Sequence, residues 1–88
     1  MEHQHGSLQQ STIEKWLTNW LSEKNVGKVL TIDLNENFLE SGIVDSFELI
    51  NLIESAERQY DIRFTQEEFI RPEFVTVSGL ASVIHGKL

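Results

Sequence analysis

Apolar residues recur at helical spacing in several parts of this chain, and after the first part they lose any period for some eighteen residues. Ser11-Thr12-Ile13-Glu14 has the S-x-x-E form of a capping box, in which two side chains satisfy amides of a helix's first turn. Behind it Ile13, Trp16, Leu17, Trp20 and Leu21 recur at i, i+3, i+4, i+7 and i+8, one apolar stripe. The helix is expected to end between Asn25 and Gly27, where glycine accepts a left-handed cap. The two tryptophans on the stripe are read as core.

From Lys28 to Asp45, Val29, Leu30, Ile32, Leu34, Phe38, Leu39, Ile43 and Val44 are scattered among Thr, Asp, Asn and Glu. That pattern predicts a long loop pinned to the core by apolar anchors, with a short strand pair as a weaker alternative. Unstructured loops longer than about 12–15 residues are uncommon unless they serve a function.

A second helix is predicted from Asp45 or Ser46. Asp45 is a good N-cap, with Glu48 three residues on as the other half of a capping box. Leu49, Leu52, Ile53, Ala56 and Tyr60 make its core stripe, while Phe47 and Ile50 fall to one side and widen the apolar face. Thr65 and Glu68 suggest a third capping box for a short helix that must stop before Pro72. The last helix is expected after Thr76, with Val77, Leu80, Ala81 and Ile84 inward. The fold class is therefore all-α, a small four-helix bundle of three main helices and one short one, with a long first loop. Residues 1–10 are expected to be a disordered tail or an expression remnant, and 11–88 a single domain, as the length of 88 residues suggests.

Charge narrows the partners. The chain holds 14 acidic and 7 basic residues, a formal net charge of −7. Seven acids (Asp33, Glu36, Glu40, Asp45, Glu48, Glu54 and Glu57) fall between residues 33 and 57 with no Lys or Arg among them, so this stretch carries the whole net charge. Nucleic acid is excluded as a partner, since phosphate binding needs clustered cations. The acidic stretch is either a solvated face or a steering surface for basic partners. No apolar run approaches the roughly 20 residues that span a bilayer, and the polar N-terminus lacks the apolar core of a signal peptide, so no membrane insertion and a cytoplasmic location are expected.

The absence of cysteine removes disulfides, thiolate metal sites and cysteine nucleophiles together. Asp33-Leu34-Asn35-Glu36-Asn37 resembles the start of a calcium loop, but Phe38 and Val44 stand where glycine and a bidentate glutamate are required. His3 and His5 lie in the tail and His85 is remote from them, so no metal site is expected. Neither a G-x-S-x-G elbow nor a glycine-rich phosphate loop is present, and the chain is not expected to be an enzyme.

What remains is Gly42-Ile43-Val44-Asp45-Ser46-Phe47-Glu48-Leu49, which sets a serine hydroxyl in the first turn of a helix at the end of a long loop. Unpaired amides and the positive dipole end there favour a phosphate. A lone Asp-Ser pair would be read as a helix cap and nothing more. In its context it resembles the acyl carrier protein family, which includes the peptidyl and D-alanyl carriers. The resemblance runs from about Ile13 to Ile84. It is carried by Phe38-Leu39-Glu40-Ser41-Gly42-Ile43-Val44-Asp45-Ser46-Phe47, Leu52-Ile53-Glu54, Tyr60-Asp61-Ile62 and Phe74-Val75-Thr76-Val77.

The resemblance implies that Ser46 is the attachment point of 4'-phosphopantetheine, donated by coenzyme A, whose terminal thiol carries cargo as a thioester. It implies that Asp45 assists a phosphopantetheinyl transferase and holds the helix start. Phe47, Glu48, Ile50, Glu54 and Glu57 would form the docking face for partner enzymes: an acyl- or aminoacyl-activating ligase and a downstream acyltransferase or synthase. Three departures lean toward a discrete carrier in aminoacyl transfer or specialised metabolism. Phe47 replaces the usual Leu or Met, Gly42 lies four residues before Ser46 as in D-alanyl carriers, and Arg58 breaks the acidic run. Met1 and a chain end soon after the last helix lead to the expectation of a stand-alone protein, with a carrier domain cut from a multidomain synthase as the alternative, and a carrier that visits several partners is expected to be a monomer. The alternative is a small acidic helical interaction module without a prosthetic group, binding a basic amphipathic helix through Phe47 and Ile50. A small hydrolase is a distant third.

Overall fold

In the computed structural model, which describes residues 8–25 and 32–88, the elements are α1 (Gln10–Lys24), α2 (Ser46–Tyr60), a short α3 (Gln66–Phe69), a 3₁₀ turn over Pro72–Val75, and α4 (Val77–Gly86). No strand occurs among the described residues, so the strand pair is not formed there. The architecture is the expected one, three main helices and a short one, with the 3₁₀ turn added where Pro72 ends α3. Proline suits that first position, because its missing N–H would have no partner there.

The helices follow from their stripes. Ile13, Leu17 and Leu21 of α1 are fully buried, as are Leu52 and Ala56 of α2 and Val77, Leu80, Ala81 and Ile84 of α4. α1 packs directly on α4. The tryptophans, read as core, lie instead half-buried at its border, packed against it, with Trp16 edge-on to Tyr60 at 5.6 Å between ring centroids. Phe64, Phe69 and Phe74 form a second aromatic group that carries α3, with centroids 5.2–6.3 Å apart. Such tilted and edge-to-face pairs add about 0.5–1.5 kcal/mol each beyond simple burial.

The capping box expected at Ser11 is not formed. α1 begins at Gln10, and Ser11 lies inside its first turn with its hydroxyl donating to the Gln9 side-chain oxygen at 3.4 Å. The cause is tertiary. Leu8 packs against the core, and Gln10 Nε2 donates to the Ser78 carbonyl of α4 at 3.3 Å, which draws the helix start back along the chain. The boundary expected at residue 11 thus falls within α1, and residues 8–10 pack with the folded unit; residues 1–7 lie outside the described ones. The other end of α1 falls where expected, at Lys24 with Asn25 as C-cap. Gly27 and the anchors Val29 and Leu30 lie outside the described residues.

The capping boxes of α2 and α3 are both present, from Asp45 with Glu48 and from Thr65 with Glu68, and the Thr76 hydroxyl caps α4 by accepting from the Gly79 amide at 2.9 Å. Glu68 also meets Lys87 Nζ at 2.9 Å, tying α3 to the end of α4. Burial pushes the Glu68 carboxyl up, but hydrogen bonds from Thr65 and Lys87 and the Lys87 charge outweigh it and leave the group below its ordinary value.

Candidate functional site

The loop that leads to α2 is pinned by both side chains and backbone. Phe38 and Val44 are each about 1% exposed, and Ile32, Leu39 and Ile43 are half-buried against the core. Burying Phe38 alone contributes about 2–3 kcal/mol. Leu34, expected as an anchor, is 38% exposed. Its backbone anchors instead, the carbonyl accepting the Ser78 N–H at 2.8 Å in the first turn of α4. Asp33 and Asn37, which evoked a calcium loop, serve as turn acceptors: Asp33 Oδ1 takes the Asn35 amide at 2.8 Å, and Asn37 Oδ1 takes those of Leu39 and Glu40 at 3.0 and 2.9 Å. No group of three or more His, Asp or Glu side chains that could hold a metal occurs among the described residues; His3 and His5 lie outside them.

Between Phe38 and Val44 the chain makes a closed excursion. The Phe38 amide donates to the Val75 carbonyl at 2.9 Å and the Val44 amide returns to the Phe38 carbonyl at 3.2 Å. Gly42 turns the excursion back with φ +83°, a left-handed conformation that a Cβ disfavours. Asp45 then leaves the buried Val44 in extended backbone, φ −95° and ψ 179°, and Ser46 opens α2.

At this helix start Asp45 Oδ1 accepts the Glu48 amide at 2.8 Å and Glu48 Oε1 accepts the Asp45 amide at 3.3 Å. Ser46 is exposed, and among the described residues its hydroxyl makes no hydrogen bond. The amides of Ser46 and Phe47 are likewise without an acceptor among the described residues. One exposed hydroxyl thus sits beside two unpaired N–H groups at the positive end of a four-turn helix.

Beyond Ser46 the expected docking residues spread along α2. Phe47 is 77% exposed and Ile50 56%, and Leu49, Ile50, Ile53, Glu54, Glu57 and Phe69 line a shallow groove of about 260 Å³. Glu54 is exposed and makes no hydrogen bond or ion pair among the described residues. Glu48 is half-buried in the capping box. Glu57, with its side chain 16% exposed, accepts the Phe64 amide at 3.0 Å and lies 3.5 Å from the Arg63 guanidinium. Arg58, which breaks the acidic run, lines a wider depression with Glu54, Asp61 and Arg63. Phe69 and Ile70, 45% and 81% exposed, extend the apolar surface. The sequence reading passed them over because a four-residue helix is too short to show a period.

A family model, the phosphopantetheine attachment site, matches residues 20–84, most of the chain and all of α2 to α4 apart from the last turn. The chain belongs to that family of carrier proteins. No curated protein and no solved structure matches it. Phosphopantetheine-binding domains are carriers without catalysis of their own, they hold 4'-phosphopantetheine covalently, and they work with a phosphopantetheinyl transferase and with synthase or ligase enzymes. The start of α2 fits such a group: an accessible hydroxyl can accept it, and two unpaired amides can receive the negative charge of a phosphodiester. No helix among the described residues is long and apolar enough to cross a membrane.

Proposed function

We propose that this carrier bears 4'-phosphopantetheine on Ser46 and uses it to shuttle an acyl or aminoacyl group, in the cytoplasm, between an activating ligase and a downstream acyltransferase or synthase. The observation that carries the reading is the Ser46 hydroxyl, exposed and without a partner among the described residues at the first position of α2. When bound, the group supplies a thiol that holds cargo as a thioester, which this cysteine-free chain cannot do with its own side chains. Ser46 Oγ would form one bond to phosphorus as the pyrophosphate bond of coenzyme A breaks, adenosine 3',5'-bisphosphate leaving with the bridging oxygen and the serine proton passing to a base on the transferase.

Asp45 presents a carboxylate to the transferase while fixing the helix start. Phe47 and Ile50 offer apolar contacts to partner enzymes, and Glu48, Glu54 and Glu57 supply the negative field that draws basic partners in. Brief visits suit a carrier, and steering raises encounter rates without demanding tight binding. The Phe47 side chain and the position of Gly42 support aminoacyl transfer or specialised metabolism over fatty-acid synthesis. A monomer serves this traffic best.

Intact-protein mass spectrometry before and after incubation with coenzyme A and a broad-specificity phosphopantetheinyl transferase tests the reading. One added phosphopantetheine, placed on Ser46 by fragmentation and absent from Ser46→Ala, is the expected result. A folded chain left unmodified beside a modified control carrier would refute it and favour an interaction module acting through Phe47 and Ile50.

A further inference from the structure

We propose that Asn25, at the far end of α1, is a positioning residue for the attachment serine. The proposal rests on Ser46 being the site of attachment. Asn25 is the one buried polar or charged side chain among the described residues, 9% exposed. Its Nδ2 group donates to the Leu21 carbonyl at 2.8 Å and to the Ile43 carbonyl at 3.2 Å. The first bond is local and closes the last turn of α1, where the Asn25 amide itself donates to the Ser22 carbonyl in place of Leu21. The second spans 18 residues and fastens the segment that delivers Ser46.

That segment has a second backbone fixation. Ser41 and Gly42 are exposed, and the turn before it is closed by local bonds, the Ser41 amide donating to the Asn37 carbonyl at 3.0 Å and the Gly42 amide to the Leu39 carbonyl at 3.3 Å. Beyond it the Val44 amide is tied to Phe38. Burial of the Val44 side chain holds the segment as well, and the Asn25 carboxamide adds a tie on the opposite edge of the same peptide, from a different helix. A leucine of similar size would fill the same space but leave both carbonyls without a donor. Transfer onto a hydroxyl depends on its placement to within about an ångström, and this bond fixes the backbone three residues before Ser46.

The two bonds can be separated. Asn25→Ser can still donate to the carbonyl four residues back and finish α1, but its hydroxyl offers a single proton and cannot hold Ile43 as well. Asn25→Ala loses both bonds. Ile84→Val, in the buried stripe of α4, is the control for a general loss of stability. Two measurements on the full chain decide, at a temperature where every variant is folded. In hydrogen exchange, Asn25→Ser is expected to raise the rates of the Val44 and Asp45 amides about tenfold, with little change in α4. In transfer from coenzyme A, followed by intact mass, kcat is expected to fall about tenfold at unchanged KM for Asn25→Ser and Asn25→Ala alike. Asn25→Ser matching Ile84→Val in both measurements would overturn the proposal, even if Asn25→Ala failed to fold. A wild-type chain that takes no group on Ser46 would overturn the attachment reading itself, and Asn25's part in it.

Discussion

Asp45 caps α2 and is proposed to present its charge to the transferase, and a pair of substitutions can pull the two roles apart. Its carboxylate caps α2 through a 2.8 Å bond from the Glu48 amide, and the reciprocal bond from Glu48 closes the box. Its charge stands one residue from the hydroxyl proposed to receive the prosthetic group. Asp45→Ala removes cap and charge together. Losing an N-cap acceptor costs about 1 kcal/mol and up to roughly 2. For a domain of this size each kcal/mol lowers Tm by about 4–8 °C, so the alanine variant should melt roughly 5–15 °C lower. Asp45→Asn keeps an acceptor of nearly equal capping strength and gives up only the charge at the helix N-terminus, about 0.3–1 kcal/mol at an exposed position. Its Tm should fall by roughly 1–8 °C, less than that of the alanine variant.

The transferase measures the other job. With loading followed at a temperature where all three proteins are folded, the asparagine and alanine variants should slow alike, because both lack the carboxylate. Thermal unfolding by circular dichroism and initial rates by intact mass are the two assays. An asparagine variant as unstable as alanine would show that the capping box does not hold the helix start. An asparagine variant loaded at the wild-type rate would show that the transferase does not read the charge.

The remaining predictions follow from single contacts. Glu54→Lys should slow turnover with a partner enzyme, and the defect should shrink as salt rises, because exposed charges are screened beyond about 8–10 Å at physiological ionic strength; a defect independent of salt would remove the steering role. Gly79→Ala should destabilise by about 3 kcal/mol or more, since a new Cβ would fall onto the Glu73 carbonyl oxygen and come within 2.7 Å of its carbonyl carbon, and backbone cannot swing aside as a side chain does. Thermal melting reads that loss, and a Tm within 2 °C or so of wild type would refute the close approach. Glu68 has a folded pKa below its unfolded one, so the stability it contributes is present above the ordinary carboxyl value of about 4.3 and is lost as pH falls through the folded value. Glu68→Gln should therefore lower Tm clearly at pH 7 and progressively less below about pH 4, and an equal loss at both would count against it.

The parts of this molecule legible in the sequence are those governed by short-range rules. Asp45 with Glu48 and Thr65 with Glu68 announce their helix starts because a capping box is complete within four residues, and Thr76 does the same with one hydroxyl. Ser46 could be placed at the head of α2 for that reason. Ser11 carries the same local signal and the box fails, because Gln10 reaches across to Ser78, a contact 68 residues away that no window on the sequence contains. Asn25 escaped notice likewise. Read locally it is one of several polar residues ending a helix, and only the approach of Ile43 gives its second proton an acceptor. Leu34 errs in the other direction, since an apolar residue in a loop looks like an anchor whichever of its atoms does the anchoring.

The acids of α2 show why a count of charges reads one part of a surface well and another poorly. Glu48 and Glu57 are bonded to backbone amides of their own fold, whereas Glu54 is open to solvent. A long-range field depends on where charge sits and little on which neighbour it bonds, so all three would contribute to the steering proposed for this face. A docked contact is different. A partner's lysine or arginine can meet Glu54 at no cost to the carrier, but to draw Glu57 outward it must release the Phe64 amide and, with it, the segment leading to α3. For the docking role proposed here, the same uneven run of acids would make the approach broadly electrostatic and the grip narrow, centred on Glu54 and the exposed faces of Phe47 and Ile50.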